Sequence, residues 1–438
     1  MSPVEVGLIA LVILFLLMFM GMHLGFAMAL VGFAGYVFIA GLDQAVIMVG
    51  LVPYTTVASY IFGVMPVFLL MAEFASASGL VHDGYRTMHT WLGHLRGGLA
   101  MASMGGCTAF AACTGGSLEN AAVMTRISLP EMLEYKYDPA LATGCIAAGG
   151  TLAFLIPPSM AFIIYGMIAE QSIGRLFIAG IFPGILLSLM FIATIYIIVK
   201  RNPKAGPPGR RASWRERLVS VKDVWGILIL FLIVMGGIWG GIFTPTEAGA
   251  IGAFIAFVLA LAKKRLTWQN VVYSVIESLK TVGMVFGMMI GAMIFGYFTA
   301  VAGLPMELAN FVAGLHIPPV AVLAAALLLY CILGCIMDGL AMHLLTLPIL
   351  VPLLSAIGID LIWFGVLSTL TAEMALITPP IGMNVFVIAG MVKDRGIEMY
   401  TVFRGVLPFA LTIAVCMVIL VAFPQISLFL PNTMMAKT

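Results

Sequence analysis

The sequence predicts an all-α polytopic membrane protein built as two inverted repeats, each with about five spans, a re-entrant helical hairpin and a broken helix. Three observations carry this. The 438 residues are 62% hydrophobic and 9% charged, with a mean hydropathy of +1.14. Soluble domains carry roughly a quarter charged residues. Two apolar stretches are each interrupted by a proline pair, Pro157-Pro158 and Pro379-Pro380. The order of apolar segments leading to the first pair recurs before the second.

In the first repeat, residues 1–199, a span at 5–21 opens the chain. Acidic Glu5, not a basic cluster, precedes its apolar run, so it reads as a retained span and not a cleaved signal. A turn at His23-Leu24-Gly25 returns the chain through 24–41. A weaker apolar segment, 43–56, suits the membrane interface, and 58–79 cross again. A basic, His-rich loop follows, with His82, Arg86, His89, His94 and Arg96. Residues 98–134 form an apolar hairpin with a glycine-rich tip. The broken helix covers 138–168, and 174–199 span once more. The polar segment 200–223, rich in Pro, Gly, Lys and Arg, is the linker between halves.

The second repeat, 224–438, runs in the same order. Spans at 224–242 and 248–262 precede Lys263-Lys264-Arg265, and an amphipathic stretch and a span reach 301. A hairpin covers 317–355, a broken helix 360–392 and a last span 405–424. The likeness extends to residues. Ile156-Pro157-Pro158-Ser159 parallels Thr378-Pro379-Pro380-Ile381, and Ala179-Gly180-Ile181-Phe182-Pro183 parallels Arg404-Gly405-Val406-Leu407-Pro408. With the linker placed inside, only Arg175 and Lys437 of the 21 Lys and Arg fall outside. That asymmetry follows the positive-inside rule. It gives an external N-terminus, halves of opposite orientation, and hairpins entering from opposite sides.

A proline pair cannot continue a helix, because Pro lacks an N–H and pushes the preceding residue out of the helical region. In hydrocarbon such a break is tolerated only where it is buried in protein or lines a cavity. Two broken helices at matching places point to the midplane site of a secondary transporter. The side-chain oxygens at the breaks belong to Thr151, Ser159, Thr378 and Asn384. At the first tip Gly115 and Gly116 permit the reversal, and Ser117 reads as N-cap of the returning helix. At the second tip Asp338 reads either as a helix cap or as an acid facing the pathway. An acid at this depth costs about 2.5–3.5 kcal/mol. Glu119 and Glu373 raise the same alternatives, as carriers of a proton or cation or as pairs within the bundle. The six cysteines lie in apolar surroundings and read as small buried thiols. There is no GxxxxGK[ST] phosphate loop, no metal-ligand spacing for a transition metal and no nucleophile–base motif. ATP hydrolysis and intramembrane catalysis are therefore not expected, and energy has to come from an ion gradient.

With these motifs in hand, the chain resembles the large membrane subunit of the tripartite ATP-independent periplasmic (TRAP) transporters over essentially its whole length. The specific parts are the Gly-Gly-Thr-Leu…Ile-Pro-Pro-Ser break at 149–159, the Ile-Thr-Pro-Pro-Ile-Gly-Met-Asn break at 377–384 and the glycine-rich tip. The resemblance implies an elevator-type transporter in the bacterial inner membrane with a periplasmic N-terminus. It would import an organic anion, such as a carboxylate or sugar acid, coupled to Na⁺. A periplasmic binding protein would deliver that anion, and a small four-helix membrane subunit would brace the chain amid membrane lipid. No nucleic acid partner or cofactor is implied. By the family pattern one Na⁺ site carries over to Thr114, Ser117, Ala153, Ile156 and Pro158, mostly through carbonyls. A second carries over to Gly334, Ala375, Thr378 and Ile381. Gly116, Thr151, Ser159, Asp338 and Asn384 are substrate-pathway candidates. The family often has Ser-Gly-Ser-Ser where this chain has Thr114-Gly115-Gly116-Ser117, and glycine in place of Ala153 and Ala375. Any hydroxyl ligand at Gly116 is thereby lost. The alternative is a stand-alone Na⁺- or H⁺-coupled carboxylate transporter or ion antiporter of related architecture.

Overall fold

The structure, a computed structural model, describes residues 1–315, 317–334, 336–380 and 382–434. Among them the chain forms α-helices and two short 3-10 turns, with no strand. The first half comprises α1 (Pro3–Phe19), α2 (Leu24–Ala40), α3 (Leu42–Ala58), α4 (Val64–Ala77), α5 (Leu80–Leu92), α6 (Gly98–Thr114), α7 (Ser117–Glu134), α8 (Pro139–Leu155), α9 (Met160–Ile168) and α10 (Ile173–Arg201). The second comprises α11 (Trp214–Trp239), α12 (Pro245–Ala262), α13 (Trp268–Val301), α14 (Leu304–Gly314), α15 (Pro319–Gly334), α16 (Gly339–Ala356), α17 (Leu361–Ala375), α18 (Met383–Val392), α19 (Met399–Ala422) and α20 (Gln425–Thr433). The order runs twice: hairpins α6–α7 and α15–α16, broken helices α8–α9 and α17–α18, then long helices α10 and α19. The halves differ in two places, one of them the closing α20, which has no counterpart after α10. α13 is a single 34-residue helix where the first half has α3, a 3-10 turn at Tyr60–Gly63, and α4. Seven helices among the described residues are long and apolar enough to cross a membrane, or eight if α8 and α9, bent by 40°, count as one span. α1, α2, α3, α6, α15 and α17 are apolar but shorter.

Local chemistry sets the ends. Ser213 and Glu216 form a reciprocal capping box, so α11 starts at Trp214 and the last part of the polar 200–223 segment is helix, not loop. The two broken helices begin alike. The Asp138 carboxylate accepts from Ala140 N–H at 2.7 Å, and that of Asp360 from Ile362 and Trp363 N–H at 2.8 and 3.0 Å. An acceptor there satisfies donors that a helix start leaves open.

Burial sorts the helices by role. α8 is buried on every side from Leu141 to Leu155, and α17 from Ile362 to Glu373. A helix apolar all round belongs in the interior, so the broken helices are the core. α1, α2, α3, α11, α13, α15 and α19 instead expose Leu, Ile, Val and Phe outward, as a bilayer requires. The interior helices meet through small residues. The repeated motif explains two of them: a Cβ on Gly180 of α10 would lie 2.4 Å from the Leu155 carbonyl oxygen of α8. On Gly405 of α19 it would lie 1.9 Å from that of Ala140, also in α8. The motif glycine is where each long helix takes a carbonyl of α8 against its backbone. Met288 and Met289 are buried packing residues of α13. Cys107, Cys113, Cys145 and Cys416 are buried thiols, while Cys335 lies outside the described residues.

Candidate functional site at the helix breaks

Each proline removes the N–H that the carbonyl four residues earlier would receive. Pro157 and Pro158 therefore deprive Ala153 and Phe154; Pro379 and Pro380 deprive Ala375 and Leu376. The second carbonyl of each set finds a substitute from beyond the break. Ser159 donates its hydroxyl to the Phe154 carbonyl, and Asn384 N–H donates to the Leu376 carbonyl at 3.0 Å. Ser159 also accepts from Phe162 N–H at 3.3 Å, capping α9. The Ala375 carbonyl accepts from Thr378 N–H at 3.2 Å, a tightened last turn. Both Pro-Pro bonds are cis.

The first hairpin tip sits on the first break. Gly115 closes α6 at φ +67°, and a Cβ there would lie 2.5 Å from the Pro158 carbonyl oxygen. Only glycine fits both demands. Met160 N–H points at the Gly115 carbonyl at 3.4 Å. The second tip sits on the second break. A Cβ on Gly334 would lie 2.2 Å from that of Ala375. Gly339, which opens α16, packs close to Ala372 and within reach of Phe154 of the first break.

Ser117 corrects one expectation. The N-cap of α7 is Gly116, in extended conformation, and its cap makes no side-chain bond. Ser117 is the first helical residue, and its hydroxyl is used across the molecule. It donates to Glu373 Oε2 at 2.9 Å and accepts from Asn384 Nδ2 at 3.0 Å. Asn384 also donates to the Ala147 carbonyl of α8 at 3.1 Å. Ser117, Glu373 and Asn384 are all fully or almost fully buried. The first tip, α8, α17 and the start of α18 are thus tied by one polar cluster at the centre of the chain. Gly150 makes room for it: a Cβ there would meet Ala121, the Ser117 carbonyl and the Asn384 amide at 2.9–3.1 Å.

The other expected residues fall as follows. Ala153, Ile156 and Pro158 are buried beside the first tip. Thr114 is half-buried, with its hydroxyl turned to the Phe110 carbonyl at 3.0 Å. Thr151 bonds the Ala148 carbonyl at 2.6 Å, and Thr378 bonds that of Met374. Asp338 caps α16 through Leu340 and Ala341 N–H at 2.9 and 3.0 Å. Glu119 curls back, its Oε2 against Gly116. Ile381 lies outside the described residues. Ala147 was not singled out from the sequence, and Gly150 only as one of the glycines of the first break, since one contributes only a carbonyl and the other only space. Asn120 lies in the first turn of α7, and its amide donates to the Cys107 carbonyl at 3.1 Å. Its Oδ1, like Glu373 Oε1, is buried with no hydrogen-bond partner among the described residues. Unpaired buried acceptors are costly. These two atoms, and the Ala153 carbonyl that Pro157 deprives of its donor, are oxygens, which suit a hard cation better than a soft metal.

The family model of the tripartite ATP-independent periplasmic transporter, DctM component, matches residues 11–426. The C4-dicarboxylate TRAP transporter large permease protein DctM of Pseudomonas aeruginosa is 34% identical over 381 residues, 86% of this chain and 88% of its own. The sialic acid TRAP transporter permease protein SiaT of Haemophilus influenzae is 34% identical over 84% of this chain, which spans 59% of that longer protein. Among solved structures the YdaH transporter of Alcanivorax borkumensis shares the fold, with a TM-score of 0.67 and 15% identity, over 89% of this chain and 90% of its own. The breaks, the tips and the match along nearly the whole chain lead to one assignment: this chain belongs to the tripartite ATP-independent periplasmic transporters, as a DctM-type large membrane subunit.

Proposed function

We propose that the chain imports an organic anion carrying a carboxylate, coupled to Na⁺, with hairpins and broken helices moving together as one transport domain in an elevator mechanism. A periplasmic binding protein delivers the substrate, and the small membrane subunit braces the outer helices. The observation that supports this best is the polar cluster of Ser117, Glu373, Asn384 and the Ala147 carbonyl, which ties the first tip to both broken helices. Na⁺ suits the Ala153 and Ala375 carbonyls; the family pattern assigns Thr114, Ser117, Ile156 and Pro158 to the first site and Gly334, Thr378 and Ile381 to the second. Unwound carbonyls are its usual intramembrane ligands. Ions bound there order the two tips, and the helix starts at the breaks, with their Ser, Thr and Asn groups, hold the substrate carboxylate. The charge asymmetry of the loops places the 202–213 segment inside and the N-terminus outside. The two relatives handle a C4-dicarboxylate and a sialic acid, both of which bear carboxylates.

Uptake by the reconstituted complex tests the coupling. Replacing external Na⁺ with choline at constant osmolarity is expected to abolish accumulation. Unchanged accumulation would end the Na⁺ reading and favour coupling to protons.

A further inference from the structure

On the linker side of the chain, away from the helix breaks, arginines cluster around two cavities. Two adjoining cavities of about 380 and 370 Å³ lie between α5, the 210–213 segment and the start of α11. Five arginines line them, Arg86, Arg210, Arg211, Arg215 and Arg217, against two carboxylates, Glu216 and Asp223. Glu216 is already engaged, accepting the Ser213 N–H at 2.6 Å with Arg210 at 3.8 Å. The other four arginines make no ion pair among the described residues. Arg217 is 9% exposed, yet its Nε has no hydrogen-bond partner there. Its guanidinium is held 5.2 and 5.9 Å from the rings of Trp214 and Trp91, with His94 Nδ1 at 3.3 Å. Stacking fixes the fork without satisfying it, which suits a planar donor awaiting phosphate oxygens.

An apolar stripe starts at the same place. Trp214, Leu218, Val221, Trp225, Leu228 and Leu232 follow helical spacing down one face of α11, and all are exposed. The adjacent face, Arg217, Ser220, Val224 and Ile227, packs inward, and the Ser220 carbonyl accepts the Thr87 hydroxyl of α5 at 2.8 Å. A soluble anion has no use for a stripe that runs from the arginines toward the hydrocarbon. A lipid does, with its headgroup at the cations and its chains along the helix. We infer that the Arg210–Arg217 cavities and the Trp214–Leu232 face of α11 form one binding site for an anionic phospholipid.

The test titrates the full-length chain with phosphatidylglycerol, and with phosphatidylcholine of the same acyl chains, by native mass spectrometry. Phosphatidylglycerol is expected to bind more tightly. The triple variant R210Q/R211Q/R215Q changes exposed side chains only and keeps its melting temperature in phosphatidylcholine. Its phosphatidylglycerol affinity is expected to fall about fivefold per arginine, about a hundredfold in all. The charge-matched control K264Q/K393Q/R395Q keeps wild-type affinity. Four results would each overturn the site. They are equal binding of the two lipids, a triple variant that binds like wild type, a control that loses as much, and competition by inorganic phosphate at lipid-like concentrations. Displacement of the lipid by the small membrane subunit would give this face to a protein partner and overturn it equally.

Discussion

Replacing Asn384 with leucine is expected to lower substrate uptake by the reconstituted complex at least tenfold, a barrier change of about 1.4 kcal/mol. The amide makes two donated bonds, to the Ser117 hydroxyl and the Ala147 carbonyl, and they join the second break to the first tip and to α8. Hydrogen bonds between membrane helices average about 0.6 kcal/mol and reach about 1.7. An unsatisfied buried partner costs a further 1–3 kcal/mol or so. The lost stability is therefore a few kcal/mol at most, which a protein of this size tolerates. Transport suffers more than folding, because on the proposed mechanism the link lies between elements that move together. Uptake and melting temperature measured side by side separate the two. A leucine variant that keeps wild-type uptake would remove the cluster from the mechanism.

Valine at Gly405 is expected to act the other way round, on folding before transport. The added Cβ would lie 1.9 Å from the Ala140 carbonyl oxygen and 2.7 Å from its carbon. Both are backbone atoms of the most buried helix, so neither α8 nor α19 can give way locally. Overpacking costs about 1–3 kcal/mol in ordinary cores and more where backbone is struck. The variant is expected to lose its monodisperse peak in detergent size-exclusion chromatography. Gly283→Ala, on α13, serves as the comparison. A Cβ there meets nothing within 4 Å, and alanine is the better helix former by about 1 kcal/mol. Its peak and melting temperature are expected to be unchanged or improved.

Much of the architecture was legible because it is written in residue types. The proline pairs mark the breaks, Gly115-Gly116 marks the first tip, and Asp138 and Asp360 stand where the broken helices begin. Helix ends deviated where a polar stretch was itself amphipathic helix. The residues from Ser213 onward read as linker by composition, yet the Ser213–Glu216 box starts α11 there. The site was legible in part. Ser117, Thr378 and Asn384 stood out by type and position, while the break alanines came only with the family resemblance. The use of the Ser117 hydroxyl did not, since a serine after two glycines reads equally as a cap. Its actual partners, Glu373 and Asn384, lie more than 250 positions away. Nor could sequence reveal that Ala147 acts through its carbonyl and Gly150 through the space it leaves. The satisfied hydroxyls of Thr151 and Ser159 shift attention from side chains to the carbonyls that the prolines set free.

That shift frames the most direct measurement, the melting temperature of the purified chain in NaCl against choline chloride at equal ionic strength. A ligand that binds only the folded state adds about 2.7 kcal/mol at a hundred times its dissociation constant. The account predicts a saturable rise with Na⁺ in the wild type. It predicts a smaller rise in Pro157→Ala, where alanine returns an N–H in register with the Ala153 carbonyl. Equal melting temperatures in the two salts for the wild type would contradict it.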